Sequence, residues 1–269
     1  MNNLVIRGIT GFFFVLFIIS AIILGEWYFQ TLFGLIAILA LNEFYGLFKS
    51  SDTHPNISQG LILGAIIYLI GLFCIYEQSI TTALIGILVL LFPLVGLAEL
   101  FRSKKTPFQN MGITILGIVY IVLPFLLINL MRLNSDNYWP VLSIFILTWS
   151  SDTFAYLVGR KIGKHKLFER ISPKKSWEGF VGGLVFSVLA GLLIAYFTQD
   201  NMIKYAIYGT IIATFGTLGD LVESMLKRSL NIKDSGTILP GHGGLLDRFD
   251  AVIFVIPIIY FLEVFVFTS

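Results

Sequence analysis

The chain has 269 residues, 57% of them hydrophobic and 13% charged, with a mean hydropathy of +0.88 and a formal net charge of +2. Soluble domains carry about 25% charged residues, so this chain cannot clothe a water-facing surface, and most of its surface must meet hydrocarbon. A single cysteine, Cys74, inside an apolar run, excludes an internal disulfide and a cysteine metal cluster.

A spanning helix needs about 20 apolar residues. Nine stretches meet or approach that length, at 4–25, 27–48, 58–77, 79–101, 109–131, 138–159, 177–198, 202–219 and 250–267. Arg7 before the first run resembles a secretory leader. The run is too long for a leader's apolar core, however, and another span follows almost at once, so the expectation is an uncleaved helix. The eighth run is short, contains Gly209, Gly216 and Gly219, and ends in charge. With the N-terminus inside, 16 of the 18 Lys and Arg residues fall on inner segments and only Arg132 and Lys204 on outer ones. That asymmetry predicts nine spans with a cytoplasmic N-terminus. The expected fold is an all-α integral membrane protein in one continuous membrane domain. About five helices lie in 1–135 and about four in a catalytic region, 136–269, with cytoplasmic loops 160–176 and 220–250. The expected location is a bacterial inner membrane with the active site facing the cytoplasm, and no nucleic acid is expected as a partner.

The first five spans are nearly free of polar residues. The later ones are not: Thr148, Trp149, Ser150, Ser151, Asp152 and Tyr156 cluster at the inner end of the sixth, and Asp220, Glu223 and Ser224 at the inner end of the eighth. Ionisable groups at membrane depth are costly and mark function by default.

From 220 to 250 the chain reads DLVESMLKRSLNIKDSGTILPGHGGLLDRFD. The first part is expected to continue the eighth helix, with Asp220, Glu223, Ser224 and Lys227 on one face. For Glu223 and Lys227, a solvated face held by acid–base pairs and a functional role are both open. Asp220 sits where the helix leaves apolar surroundings, and its carboxylate calls for a cation. In Pro240-Gly241-His242-Gly243-Gly244 the glycines permit positive φ and uncover N–H groups, a nest suited to phosphate oxygens. The following helix start adds dipole attraction, and Lys233 and Arg248 flank the turn. Asp247 and Asp250, at i and i+3, repel one another unless a cation lies between them. A hard divalent ion such as Mg²⁺, which prefers oxygen ligands and bridges carboxylates to phosphates, meets that need. With Asp220 they form a three-carboxylate set suited to metal-assisted nucleotidyl or phosphoryl transfer.

The run Ser224-Met225-Leu226-Lys227-Arg228, then Lys233-Asp234-Ser235-Gly236, then Leu239-Pro240-Gly241-His242-Gly243-Gly244-Leu245-Leu246-Asp247-Arg248-Phe249-Asp250 resembles the signature of the phosphatidate cytidylyltransferases, also called CDP-diacylglycerol synthases. Trp149 to Tyr156 and Ser172 to Gly179 also resemble family motifs. The resemblance implies the reaction CTP + phosphatidate → CDP-diacylglycerol + pyrophosphate, a requirement for Mg²⁺, a homodimer, and a funnel open to the cytoplasm and inner leaflet. It implies that Asp220, Asp247 and Asp250 hold the metals, with room for a monovalent cation beside the divalent one. Lys227, Arg228, Lys233, His242 and Arg248 would face phosphates, and Ser224, Asp234, Gly241, Gly243 and Gly244 fall in the same signature.

The basic loop 160–175 has a bland explanation in topology and attraction to anionic lipid. That explanation leaves out its Ser-Pro start and Glu178. Ser172, Lys174 and Lys175 are therefore expected to bind the nucleotide or lipid headgroup. Glu178 would pair with one of those bases or approach the metal, and Asp152 and Tyr156 would complete the pocket. The rivals are a CTP-dependent polyprenol or dolichol kinase, which needs the same phosphate-and-metal equipment, and an ion-coupled secondary transporter. Against the transporter, the acids cluster at one face rather than the midplane, and no internal repeat is evident.

Overall fold

The computed structural model describes residues 3–77, 80–135, 137–238, 241 and 243–267. Hydrocarbon offers no hydrogen-bonding partner, so main-chain groups there must be satisfied within each segment. The described chain is accordingly almost all helix. In order the helices are α1 (Asn3–Leu24), α2 (Glu26–Gly46, continued by a 3₁₀ turn Leu47–Ser50), α3 (Ile57–Tyr76), α4 (Ile80–Leu100), α5 (Pro107–Gly117), α6 (Leu123–Asn134), α7 (Trp139–Ile162), α8 (Trp177–Thr198), α9 (Met202–Ser229) and α10 (Leu246–Leu262, continued by a π turn Glu263–Phe267). A π turn at Ile118–Val122 joins α5 and α6 into one rod. Each expected span thus coincides with a helix or rod. Among the described residues seven are long and apolar enough to cross a membrane, and Gly8–Leu24 and Ile85–Leu100 are shorter apolar helices.

Two boundaries differ from expectation. Helix α9 does not stop near 219 but runs on to Ser229, and α10 begins at Leu246 rather than 250. The loop after α7 is also not irregular. It contains a small antiparallel hairpin, β1 (Lys166–Phe168) and β2 (Ser172–Ser176), with Lys166 opposite Ser176 and Phe168 opposite Ser172. Pro173, which lacks an N–H, disfavours helix there and is tolerated in an edge strand.

The helices form two compact units. One contains residues 1–130 and 230–248, the other 131–229 and 249–269. In the first, the Tyr45 ring fills the space beside Gly60 of α3 and Gly117 of α5, where a Cβ would stand 2.5 and 2.6 Å from it. Its hydroxyl donates to the Thr114 carbonyl at 2.6 Å. A buried chain follows: Asn129 donates to the Tyr68 hydroxyl at 2.9 Å, which donates to the Gln30 carbonyl at 2.7 Å. Lipid tails are as apolar as leucine, so close packing and such hydrogen bonds, worth about 0.6 kcal/mol each on average, hold helices together.

In the second unit, small residues let backbones touch. A Cβ on Gly183 of α8 would stand 2.8 Å from the Ser151 carbonyl oxygen of α7, and one on Gly209 of α9 would stand 2.8 Å from that of Ser187. The glycines of α8 therefore admit close approach of its neighbours α7 and α9. Phe154 and Phe186 stack at 3.7 Å across α7 and α8.

Candidate active site

Helix α8 starts at Trp177 because Ser176 caps it, its hydroxyl accepting from the Gly179 N–H at 3.2 Å. The hairpin before it is pinned to this first turn by Glu178. That carboxylate accepts from the Lys164 N–H at 3.0 Å and the His165 N–H at 3.2 Å, and lies 2.6 Å from His165 Nδ1. Glu178 was expected to pair with a substrate-binding base or approach a metal. It instead anchors the strand pair, because the main-chain turn into the hairpin presents N–H groups to it.

Beside the hairpin, between α7, the start of α8 and α9, lies a cavity of about 320 Å³. Its walls include Asp152 and Tyr156 of α7, Ser172, Lys174, Lys175 and Ser176 of β2, Phe180 of α8, and Thr217 and Asp220 of α9. Six residues picked from the sequence thus converge: Asp152, Tyr156, Ser172, Lys174, Lys175 and Asp220. The Lys175 ammonium is ion-paired with Asp220, whose other oxygen accepts from the Ser224 hydroxyl at 3.2 Å. The hairpin thereby sets an ammonium against a helix-borne acid.

One turn further along α9, Glu223 and Lys227 form a 2.5 Å ion pair with side chains 0% and 8% exposed. Lys227, expected to face phosphates, is buried here against its neighbour four residues back. Arg228 is exposed. Asp250, part-buried near the start of α10, accepts from the Ala251 N–H at 2.6 Å, and the carboxylates of Asp220, Glu223 and Asp152 all lie within electrostatic reach of it.

In the other unit, Gly241 and Gly243 adopt φ of 77° and 83°, the left-handed conformation expected of them. Gly244 has a different reason. A Cβ there would collide with Ser235 Oγ and stand 2.7 Å from Glu43 Oε2. Asp247 Oδ2 accepts from the N–H groups of Ser235 at 3.0 Å and Gly244 at 3.1 Å. The Leu246 N–H, at the helix start, donates to Glu43 Oε2 at 2.8 Å. The expectation of a nest and helix N-terminus open to substrate phosphate is therefore corrected for two of its amides, Gly244 and Leu246, which serve the chain's own acids. Lys233, Asp234 and Arg248 are solvent-exposed. His242, with Leu239 and Pro240, lies outside the described residues.

The sequence reading missed Glu43 and His165, and carried Ser235 and Ser176 only as members of motifs. Ser176 carried a usable signal, a serine directly before an apolar run. So did Glu43, an acid at membrane depth, in a half of the chain read as nearly devoid of polar groups.

The acids of the second unit suit a hard cation by donor chemistry, offering carboxylate and hydroxyl oxygens without thiol. Asp152 and Asp220 share the cavity wall with Lys174 and Lys175, and Glu223 pairs with Lys227. Among the described residues no group of three or more acids, histidines or cysteines already stands in ligand geometry.

A chain of apolar helices, seven of them among the described residues long enough to cross a membrane, defines an integral membrane protein with a cavity lined by lysines and acids. The sequence profile of the cytidylyltransferase family matches residues 5–266, and the chain belongs to that family. It is similar to the phosphatidate cytidylyltransferase of Bacillus subtilis strain 168, with 34% identity over 263 residues covering 95% of this chain and 96% of that protein. It also resembles the phosphatidate cytidylyltransferase of Staphylococcus saprophyticus, at 32% over 262 residues, covering 94% and 96%. A stretch of 159 residues is 42% identical to the phosphatidate cytidylyltransferase of Staphylococcus aureus strain COL, and spans 58% of this chain and 60% of that protein.

Proposed function

We propose that this protein transfers the cytidylyl group of CTP to phosphatidate, releasing pyrophosphate and forming CDP-diacylglycerol for phospholipid synthesis. The observation that carries the reading is the cavity lined by Lys174, Lys175 and Ser172 of the hairpin together with Asp152 of α7 and Asp220 of α9. Family membership supplies the nucleotide, and the relatives' names supply the lipid.

The nucleophile is a phosphate oxygen of phosphatidate, already anionic, so no strong general base is required. It attacks the α-phosphorus of CTP, a new P–O bond forms, and the bond to the β-phosphate oxygen breaks as pyrophosphate leaves. Catalysis then consists of positioning two polyanions and stabilising charge on the leaving group. Lys174 and Lys175 hold phosphate oxygens, and the Ser172 hydroxyl donates to them. Asp220 and Asp250 would hold Mg²⁺, which when bound neutralises phosphate charge. The family motif, rather than the geometry, carries Asp247 into that set. It likewise carries Lys233, Arg228, Arg248 and His242 into phosphate binding, and a monovalent cation beside the divalent one. Nine spans, a cytoplasmic N-terminus, a bacterial inner membrane, a cavity facing the cytoplasm, and a homodimer complete the proposal.

The test supplies purified protein in mixed micelles with phosphatidate and CTP labelled in turn at the α and γ phosphates. Label from the α position in a cytidine-containing lipid supports the proposal. Label from the γ position in the lipid would assign a lipid kinase, and cation flux without lipid turnover a transporter.

A further inference from the structure

Glu43 lies in α2 and is only 6% exposed, yet its carboxylate reaches residues about 200 positions later in the chain. Oε2 accepts from the Leu246 N–H at 2.8 Å and from the Ser235 hydroxyl at 3.3 Å. Oε1 is enclosed with no hydrogen-bond partner among the described residues. Two glycines are shaped around this acid: a Cβ on Gly236 would collide with Oε1, and one on Gly244 would approach Oε2 to 2.7 Å. Asp247 closes the same turn from the other side, through the N–H groups of Ser235 and Gly244. A buried carboxylate costs several kcal/mol unless it is well hydrogen-bonded, and a helix start is a main-chain location that favours an anion. Glu43 is placed there by burial in α2 rather than by any neighbour in sequence.

We infer that Glu43 is a positioning residue, fixing Ser235, Gly236, Gly244 and Leu246 so that Lys233 keeps one arrangement toward substrate phosphate and Asp247 one arrangement toward a cation. The inference rests on the reading of this segment as part of the CTP site. It requires no contact between Glu43 and substrate. The acid ties down both ends of the turn, Ser235 and Leu246, and the glycines at 236 and 244 are the counterpart surface that admits it.

The experiment uses the full chain in detergent with Glu43→Ala, Glu43→Gln and Gly236→Ala. Amide hydrogen exchange at 235–246 is read beside turnover at varied CTP. Removing the acceptor is expected to speed exchange of the Leu246 amide about tenfold and to raise KM for CTP more than it lowers kcat. Glu43→Gln, whose amide oxygen still accepts, retains most of the protection. Gly236→Ala, which crowds the same acid, reproduces the Glu43→Ala result, and the double variant is less than additive because both act on one contact. If Glu43→Ala does not fold, Gly236→Ala carries the test from the loop side. Unchanged exchange in folded variants overturns the positioning role whatever the activity. Faster exchange with CTP kinetics untouched would instead remove this segment from the nucleotide site. A purely structural residue would lower kcat and thermal stability together and leave KM where it was.

Discussion

In the unit of residues 131–229 and 249–269, acids meet ammonium groups or one another: Asp220 pairs with Lys175 at a cavity wall, and Asp250 sits within reach of three further carboxylates. In the unit of residues 1–130 and 230–248, Glu43 and Asp247 accept instead from main-chain N–H groups of a glycine-bearing turn. An ammonium on a flexible stem can exchange its carboxylate for a phosphate at little structural cost. An amide in a helix start cannot move without the helix, so an acid bound to it fixes shape. The first arrangement is suited to substrate turnover and the second to holding a loop still.

The comparison breaks first at Asp250. If its crowd of carboxylates binds a cation that neutralises phosphate, Asp250→Asn should cut CDP-diacylglycerol formation by about 10²–10³-fold, the scale of losing one preorganised electrostatic partner. Expression and helicity should hold. Activity within a few-fold of the parent would show that the acids of this unit are structural too.

Lys175 comes next. Lys175→Ala removes a hydrogen bond between charged groups, worth about 1.5–3 kcal/mol, and should lower kcat/KM for CTP by about 10–100-fold. Lys175→Arg keeps the charge and should recover part of that. Equal losses in both variants would mean that geometry at the Asp220 pair, not phosphate binding, is what the lysine supplies.

A smaller effect separates the two uses of acids within one unit. Glu178 behaves like Glu43, fastening the hairpin through the N–H groups of Lys164 and His165. Glu178→Gln should therefore raise KM for CTP about fivefold, the scale of one weakened hydrogen bond, with kcat almost unchanged. A collapse of kcat would instead place Glu178 in the reacting centre.

The helices were legible because the apolar runs are long and the chain has almost no competing pattern. The convergence of Asp152, Tyr156, Ser172, Lys174, Lys175 and Asp220 was legible as membership, since polar groups in such a chain are few. Their pairings were not. Whether Lys227 faces a phosphate or Glu223 depends on burial of that face of α9, which a periodic pattern with acid and base alternating cannot decide. Gly244 read as a nest residue and proves to be a clearance for Glu43 and Ser235. That role depends on a contact across about 200 residues, and nothing local to Gly244 announces it.

The smallest expected effect on activity lies at the far ends of α9 and α10. Lys204 pairs with Glu263 at 2.7 Å, with side chains 13% and 15% exposed, and its ammonium stands 5.7 Å from the Tyr208 ring and 5.8 Å from that of Phe267. This pair resembles Lys175–Asp220 in chemistry, but neither residue lines the cavity described above. Removing one partner leaves the other charge largely buried, a cost of about 1–3 kcal/mol after allowing for the remaining solvent contact. Lys204→Met should therefore lower the unfolding temperature in detergent by several degrees while kcat and KM stay within about twofold. Adding Glu263→Gln should restore part of the stability, because no charge is then left without a counterpart. If Lys204→Met cuts turnover as deeply as Lys175→Ala, ion pairing alone governs activity, and the cavity would no longer distinguish one lysine from the other.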